Sequence, residues 1–201
     1  YKKDSEYIAY GATNFGNPEP TFLSQYNLEE YKYSMILARL EPENNIETIL
    51  EGYNKSKGNY PIVVIGGLNE YGLGLKEKYK KDSRINFVGP NYNQEELNNL
   101  RHYSRYYFHG HSVGGTNPSL LEAMASNALI IAHNNIFNHS ILREGAIYFD
   151  SDQQITDIIN EDSYFSLKKK FTSSNKKKIE LEFSWNRINE KYEQYLVSLL
   201  N

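Results

Sequence analysis

The stretch Gly110-His-Ser-Val-Gly-Gly-Thr-Asn-Pro-Ser-Leu-Leu-Glu-Ala-Met-Ala125 follows a predicted aromatic strand, Tyr106 to His109, and ends in a predicted helix. Asn117 is a favourable N-cap residue, and Pro118 suits the first helical position, where no amide hydrogen is needed. The sequence therefore predicts a strand, a glycine-rich loop and a helix in direct succession.

The same loop and helix start predict a site for an anionic ligand. Gly114 and Gly115 allow the backbone to approach a ligand closely, and free amides at a helix start attract anions. Glu122 lies about one helical turn further on, where its carboxylate would repel a phosphate, so a hydroxyl pair such as that of a ribose suits it better. Diphosphate on the amides and ribose on Glu122 together describe a nucleotide-sugar pocket.

A purely structural interpretation of this helix start remains open at this stage. Ser119 and Glu122 match the capping box, in which the glutamate only satisfies an amide at the N-cap. Leu120 and Leu121 are expected to face the core under either interpretation. The residues alone do not decide between a structural and a ligand-binding Glu122.

The segment from Asn117 to Ala125, followed by the apolar run Leu129 to Ala132, resembles the donor-binding signature of GT-B glycosyltransferases of family 4. The resemblance covers roughly residues 39–149, and the run from His109 to Pro118 is similar to a rhamnosyltransferase-like branch. It implies one half of a GT-B fold: a Rossmann-like α/β domain whose parallel sheet carries helices on both faces, with additional C-terminal helices.

The resemblance also implies a set of donor-binding residues. In the family, the glutamate matching Glu122 commonly holds the donor ribose, and an arginine matching Arg39 acts with a lysine to neutralise the diphosphate. The chain departs twice from this pattern, because the family's first glutamate falls at Gly114 and its lysine at Asn44. His111 is the candidate catalytic residue, since it is placed to approach the sugar or the acceptor. The predicted donor-binding residues are Arg39, Asn44, Gly67, Tyr92, Gly114, Gly115, Thr116, Asn117, Ser119, Leu120 and Glu122.

Several of these residues have a simpler explanation. Without the family, Arg39 would be expected to form a surface ion pair with Glu41 or Glu43, and Tyr92 to be an ordinary exposed loop tyrosine. The four histidines at 109, 111, 133 and 139 have no carboxylate convincingly placed among them, so no metal is expected and one histidine is expected in the core. No G-x-G-x-x-G opens a helix after the first strand, which argues against a dinucleotide cofactor.

Composition limits the remaining classes of function. The 201 residues suffice for one α/β domain with an extension, and a net charge of −3 gives no electrostatic case for nucleic acid. The absence of cysteine excludes disulfides and agrees with a cytoplasmic location. No apolar run approaches the ~18 residues of a membrane span.

Apolar strands alternating with helices predict a parallel sheet covered on both faces. We divide the chain into an interdomain segment and tail of a missing N-terminal domain (1–30), a nucleotide-sugar-binding domain (31–165) and a C-terminal helical extension (166–201). Lysine clusters at 168–170 and 176–178 are interpreted as solvated faces, with peripheral membrane association as the alternative. A final helix, Trp185 to Leu199, carries one apolar stripe.

The resemblance implies a glycosyltransferase donor domain. It would transfer a sugar, with rhamnose from dTDP-rhamnose as one option, from a nucleotide-diphosphate donor to a saccharide or lipid-linked saccharide acceptor in surface polysaccharide synthesis. An N-terminal domain would be its partner, because the GT-B site lies in the cleft between two domains. The alternative is a non-catalytic Rossmann-like nucleotide-binding or regulatory module, which the departures at Gly114 and Asn44 favour.

Overall fold

A single parallel sheet organises the chain in the computed structural model, which describes residues 5–200. Its strands lie in the order β3-β2-β1-β4-β5-β6, and every neighbouring pair is parallel. The strands are β1 (Ser34–Leu37), β2 (Ile62–Ile65), β3 (Ile85–Gly89), β4 (Tyr106–His109), β5 (Ile130–His133) and β6 (Ile147–Phe149).

Helices connect the strands and cover both faces of the sheet, as the alternation in the sequence predicts. They are α1 (Ile46–Lys55), α2 (Glu70–Lys78), α3 (Gln94–Tyr103), α4 (Pro118–Ala125), α5 (Ile136–Leu142), α6 (Asp152–Glu161), α7 (Lys168–Lys178) and α8 (Trp185–Ser198). A π-helical turn, Ile179–Phe183, joins α7 to α8. The predicted Rossmann-like parallel sheet with C-terminal helices is confirmed.

The core consists of two apolar layers, one on each face of the sheet. Successive side chains of a strand point to opposite faces, so Tyr107 belongs to one layer and Phe108 to the other. Met35 and Ile36 divide in the same way on β1. This double burial explains why the inner strands are apolar throughout instead of alternating with polar residues.

The strand Tyr106 to His109 and the final helix beginning at Trp185 are present where the sequence predicts them. Helix α2 begins at Glu70, because the side chain of Asn69 caps it by accepting from the amide of Gly72 at 2.8 Å. Helix α5 was not predicted at all. Its sequence, Ile-Phe-Asn-His-Ser-Ile-Leu, is too short to show a clear helical period.

The interpretation of both lysine clusters as solvated faces is wrong for two of their members. The ammonium group of Lys168 donates to the carbonyl oxygens of His102 and Ser104, at 3.0 and 3.3 Å, and its burial lowers its pKa to about 7. Lys178 is buried and donates to the carbonyl oxygen of Leu142, and burial lowers its pKa to about 8. These two lysines attach α7 to the domain.

Helix α8 is less closely packed than the sheet. In α8 only Ile188 of the predicted apolar stripe is buried, whereas Trp185 is 44% exposed and Leu196 58% exposed. The amide of Ala12 donates to the carbonyl oxygen of Phe183 at 2.7 Å, which brings the N-terminal segment onto the C-terminal one. Residues 1–4 of the predicted interdomain segment lie outside the described residues, and the three domain boundaries stay predictions.

Between residues 5 and 200, no helix combines the length and the apolar character that crossing a membrane requires.

We predict different effects for two adjacent glycines that follow β2. A Cβ on Gly66 would lie 2.2 Å from the carbonyl oxygen of Ala38, a backbone atom beside β1, whereas a Cβ on Gly67 would meet no atom within 4 Å. Gly66→Ala should lower the free energy of unfolding by about 1–3 kcal/mol through overpacking. Gly67→Ala should change it by less than about 0.5 kcal/mol. Urea unfolding of both variants tests this, and equal losses would contradict the packing around Gly66.

Candidate functional site

The centre of the sheet forms a cleft at its carboxyl edge. In this strand order the connections run to opposite sides from β1 and β4, and ligands of such sheets bind at this switch point. A cavity of about 280 Å³ lies there, between the chain segments that follow these two strands. Its polar lining consists of Arg39, Asn44, His109, His111, Asn117 and Ser119.

The structure brings most, but not all, of the predicted site residues to this region. Glu122 lines an adjoining cavity of about 220 Å³, which shares Pro118 with the first. Gly115 and Thr116 line a third cavity, of about 580 Å³, beyond the loop. Neither Gly67 nor Tyr92 lines any of these three cavities, and Tyr92 is 91% exposed on the loop before α3.

Arg39 is the free cation of the cleft. Its side chain is exposed just after β1, and within residues 5–200 no carboxylate forms an ion pair with it. The expected surface pair with Glu41 or Glu43 is therefore absent. Glu41 instead accepts from the side-chain amide of Asn69 at 3.0 Å. An unpaired guanidinium beside a cavity is suited to bind a phosphate.

Asn44, which stands at the lysine position of the family pattern, holds His111. The Asn44 Nδ2 donates to the carbonyl oxygen of Arg39 at 2.8 Å, which leaves its Oδ1 facing Nδ1 of His111 at 2.8 Å. This orientation assigns the ring proton to Nδ1 and a lone pair to Nε2. Burial lowers the pKa of His111, and the charge of Arg39 lowers it further against the opposing effect of the Val113 carbonyl. The neutral imidazole is therefore favoured.

Helix α5, which the sequence did not predict, supports the loop that carries His111. The side chains of Asn135 and Asn138 both donate to the carbonyl oxygen of His111 at 3.0 Å. Asn138 also donates to the carbonyl oxygen of His133 at the end of β5, at 2.8 Å. The position of the candidate catalytic residue thus depends on the strand and helix that follow α4.

The helix start differs from the prediction in one important respect. Asn117 is the predicted N-cap, and its Oδ1 accepts from the amides of Ser119 and Leu120 at 2.9 and 3.4 Å. These amides are therefore not free to bind an anion, and that part of the prediction is wrong. Within residues 5–200, the amides of Gly114, Gly115 and Thr116 have no partner. Any anion at this point would be bound by the loop and not by the helix.

Two residues of the predicted set offer a ligand no side chain. Gly114 has a φ of +90°, a conformation that only glycine adopts without strain, so the loop requires glycine where the family pattern has a glutamate. The side chain of Leu120 is 1% exposed within the core, as expected, and its amide is occupied by Asn117.

The capping-box interpretation of Glu122 is also wrong. Helix α4 begins at Pro118, so Ser119 is its second residue and Glu122 its fifth, too far along to cap the first turn. Glu122 Oε2 instead accepts from Nη2 of Arg101 at 2.5 Å. Arg101 was not identified from the sequence, because nothing in its position on α3 distinguishes it from an exposed basic residue.

His109 is a second residue that sequence reasoning left unassigned. It ends β4 with 5% of its surface exposed, and its Nε2 is buried without a partner in the part of the chain that the structure describes. Burial, with a smaller effect of His111, lowers the pKa of His109 to about 3. Its ring stacks on Tyr107 at 6.5 Å. Among residues 5–200, no group of three or more histidine, aspartate or glutamate side chains could hold a metal ion.

A profile of the family described as glycosyl transferases group 1 matches residues 19–174, well over half of the chain. No curated protein matches the sequence significantly. Solved structures share the fold at low sequence identity, and two of the three described next are about twice as long as the part that this chain matches.

Three of these structures illustrate the likeness. HepE from Anabaena, in complex with UDP and glucose, is 14% identical with a TM-score of 0.77, over 89% of this chain and 52% of that chain. Sucrose-phosphate synthase from Thermosynechococcus elongatus is 16% identical with a TM-score of 0.80, over 96% and 52%. The C-terminal domain of the glycosyl transferase group 1 family protein LpcC from Francisella tularensis is 20% identical with a TM-score of 0.66, over 89% and 97%. The chain thus spans about half the length of the first two relatives and nearly all of an isolated C-terminal domain.

We predict that buried His109 makes the fold sensitive to acid. Its pKa is about 3 in the folded chain and about 6.5 when unfolded, so below pH 6.5 the unfolded chain binds a proton that the folded chain does not. His109 therefore contributes full stability above pH 6.5 and loses it progressively as the pH falls towards 3, by at most about 1.4 kcal/mol per pH unit. His109→Phe should show a shallower fall in unfolding free energy between pH 6.5 and 4, measured in urea. Parallel curves for the two proteins would contradict this assignment.

Proposed function

The chain belongs to the glycosyl transferases group 1 family, and we propose that it is the donor-binding half of such an enzyme. The observation that carries the proposal is the position of Arg39 at the carboxyl edge of the sheet. This unpaired cation shares one cavity with the capped start of α4, and Glu122 lines the adjoining cavity. A nucleoside diphosphate has the matching chemistry, because its phosphates suit the cation and its ribose hydroxyls suit the carboxylate.

The relatives support a nucleotide-sugar donor. HepE has been crystallised with UDP, with UDP and glucose, and with UDP-glucose. We propose that this chain takes a nucleoside diphosphate sugar at the same edge of its sheet. Transfer of rhamnose from dTDP-rhamnose to a saccharide or lipid-linked saccharide of a surface polysaccharide is the finer version of the proposal. It rests on the sequence resemblance around His109 to Pro118 alone. The proposed cytoplasmic location rests on the absence of cysteine, and the proposed peripheral membrane association on the lysine clusters at 168–170 and 176–178.

The chemistry we assign to this domain is mainly electrostatic. Arg39 lines the central cavity, whereas Gly115 and Thr116 line the cavity beyond the loop. From these two sides, Arg39 and the unpaired amides at 114–116 would stabilise the negative charge that develops on the departing diphosphate. His111 is neutral and keeps the lone pair of Nε2, so it can accept a hydrogen bond from a sugar hydroxyl. Its Nε2 lies 3.9 Å from the point where a Cβ of residue 114 would stand. We propose that His111 takes the role in this chain that the first glutamate of the family pattern has in its relatives.

A second candidate function is a non-catalytic nucleotide-binding module. The observation that favours it is the absence of both the glutamate and the lysine of the family pattern, replaced by Gly114 and Asn44. Both candidates bind a nucleotide at the same cleft. They differ only in whether a sugar is transferred.

We predict that Arg39→Ala weakens binding of UDP or dTDP far more than binding of the parent nucleoside. Loss of one charge-assisted hydrogen bond to phosphate should cost about 1.5–3 kcal/mol, and the nucleoside has no phosphate to lose. Calorimetry with both ligands measures the difference. Lys57→Ala is the control, because Lys57 lines a separate cavity near the start of β1. Equal losses of nucleotide and nucleoside would exclude a phosphate-binding role for Arg39.

We further predict that the 201-residue chain binds the donor nucleotide but transfers no sugar by itself. The proposed donor residues lie in a single α/β unit, and the chain corresponds to about half of HepE and of sucrose-phosphate synthase. We propose that an acceptor site on a second domain completes the active site. A transfer assay with saccharide and lipid-linked acceptors, with and without an added N-terminal domain, tests this. Turnover by the chain alone would show that the active site lies elsewhere.

A further inference from the structure

Arg101 is a buried cation directly behind the donor-binding helix. Its side chain is 1% exposed. Arginine is rarely buried to this extent unless it has a charged partner, which here is Glu122. From α3, its Nη2 donates to Oε2 of Glu122 at 2.5 Å and lies 3.4 Å from Oγ of Ser119. Its Nη1 donates to Oδ1 of Asn98 at 2.9 Å. The guanidinium therefore joins two helices through three side chains.

The contact engages only one side of the Glu122 carboxylate. Oε2 is bound by Arg101, whereas Oε1 has no hydrogen-bond partner among residues 5–200. The Glu122 side chain is 33% exposed and lines the cavity that also contains Gly11 and Pro118. The carboxylate is thus held at one oxygen and left with the other available.

The surrounding contacts hold Arg101 itself in one position. Asn98 Oδ1, which accepts from Arg101, also accepts from Oγ of Ser126 at 3.1 Å. On the other side, the hydroxyl of Tyr107 and Oγ of Ser119 are hydrogen-bonded at 2.8 Å. A ligand-contacting group is most effective when a second layer of contacts restricts its rotamers in this way.

The charge of Arg101 has a second consequence for the site. A bare carboxylate beside the start of α4 would repel the diphosphate that Arg39 is proposed to bind. A guanidinium within hydrogen-bonding distance offsets that charge without lining either cavity itself. The pair can therefore accept hydroxyl hydrogen bonds while adding little net charge near the phosphates.

We propose that Arg101 is a positioning residue that orients Glu122 to accept the ribose hydroxyls of a nucleoside diphosphate. The inference rests on the proposed function, because it takes Glu122 as the ribose-binding group. Arg101 itself does not touch the nucleotide. Loss of Arg101 should remove the hydroxyl-dependent part of the affinity, in addition to any weakening of both forms by the uncompensated charge of Glu122.

The test measures directly how much of the nucleotide affinity depends on the sugar hydroxyls. Dissociation constants are determined by calorimetry for UDP and dTDP, each against its 2′,3′-dideoxy form. UDP loses two hydroxyls in this comparison, whereas dTDP, a 2′-deoxynucleotide, loses only its 3′-hydroxyl. The native chain should prefer the natural form of whichever nucleotide it binds by about 10-fold or more, as expected for hydrogen bonds to a charged acceptor. Arg101→Met and Glu122→Gln should each reduce the preference to about 2-fold or less. The double variant should lose no more than Glu122→Gln alone, because the two residues act as one unit.

Two further variants separate positioning from folding. Arg105→Met removes a comparable ion pair, with Asp162, near the start of β4, so it should lower the melting temperature and leave the preference unchanged. Arg101→Lys retains the charge, but a single ammonium nitrogen replaces the two guanidinium nitrogens that separately reach Asn98 and Glu122. It should show an intermediate preference, and it provides the measurement if Arg101→Met does not fold.

The outcomes separate the positioning role of Arg101 from the proposed donor site. If Glu122→Gln abolishes the hydroxyl preference but both Arg101 variants keep it, the positioning role is overturned and the donor site stands. If the native chain binds neither nucleotide, the proposed donor site fails and the inference fails with it. If it binds one without a hydroxyl preference, the donor site stands, and the ribose role of Glu122 and the positioning role of Arg101 are both overturned. If Arg101→Met weakens the natural and dideoxy forms equally, Arg101 acts only through its charge or through the fold, and the positioning role is overturned.

Discussion

The pairing of β1 with β4 is the constraint on which the rest of the structure depends. These strands lie side by side at the middle of the sheet although two strand–helix units separate them in the chain. Since parallel strands end at the same edge, the residues after β1 and those after β4 meet there. Arg39, Asn44 and His111 share a cavity for this reason, despite sequence separations of up to about 70 residues. Without this pairing the chain would have two unrelated loops and no cleft.

A layer of polar side chains turns this proximity into a defined site. Asn44 orients His111, Asn117 caps α4, and Asn138 links the loop to the end of β5. Each of these asparagines offers both a donor and an acceptor, so each can join two backbone or side-chain groups in a confined space. The cleft is organised largely by neutral hydrogen bonds, with Arg39 as its exposed charge.

The fold was largely predictable because its signals are local. Fully apolar runs such as Ile62 to Ile65 mark buried parallel strands, and Asn117-Pro118 marks the start of a helix. The site was predictable only where the signal lay in a motif. The burial of Arg101 depends on how α3 packs against α4, and no spacing within either helix reveals it.

The distinction between local sequence signals and tertiary packing also explains which predictions were wrong. The amides at the start of α4 were expected to be free, but a good N-cap occupies the very groups that an anion would need. The lysine clusters were expected in solvent, but a long aliphatic stem lets an ammonium group reach a buried carbonyl oxygen, as Lys168 and Lys178 do. Both errors concern competition between partners, which is decided by tertiary structure and not by residue type.

The positive φ of Gly114 limits which residues position 114 can carry. A glutamate there would adopt a left-handed conformation that costs roughly 1–2 kcal/mol, and its Cβ would lie 3.9 Å from Nε2 of His111. Replacing Gly114 alone by the glutamate of the family pattern would therefore reduce stability. An engineered return to that pattern would have to redesign the backbone of the loop and not one residue.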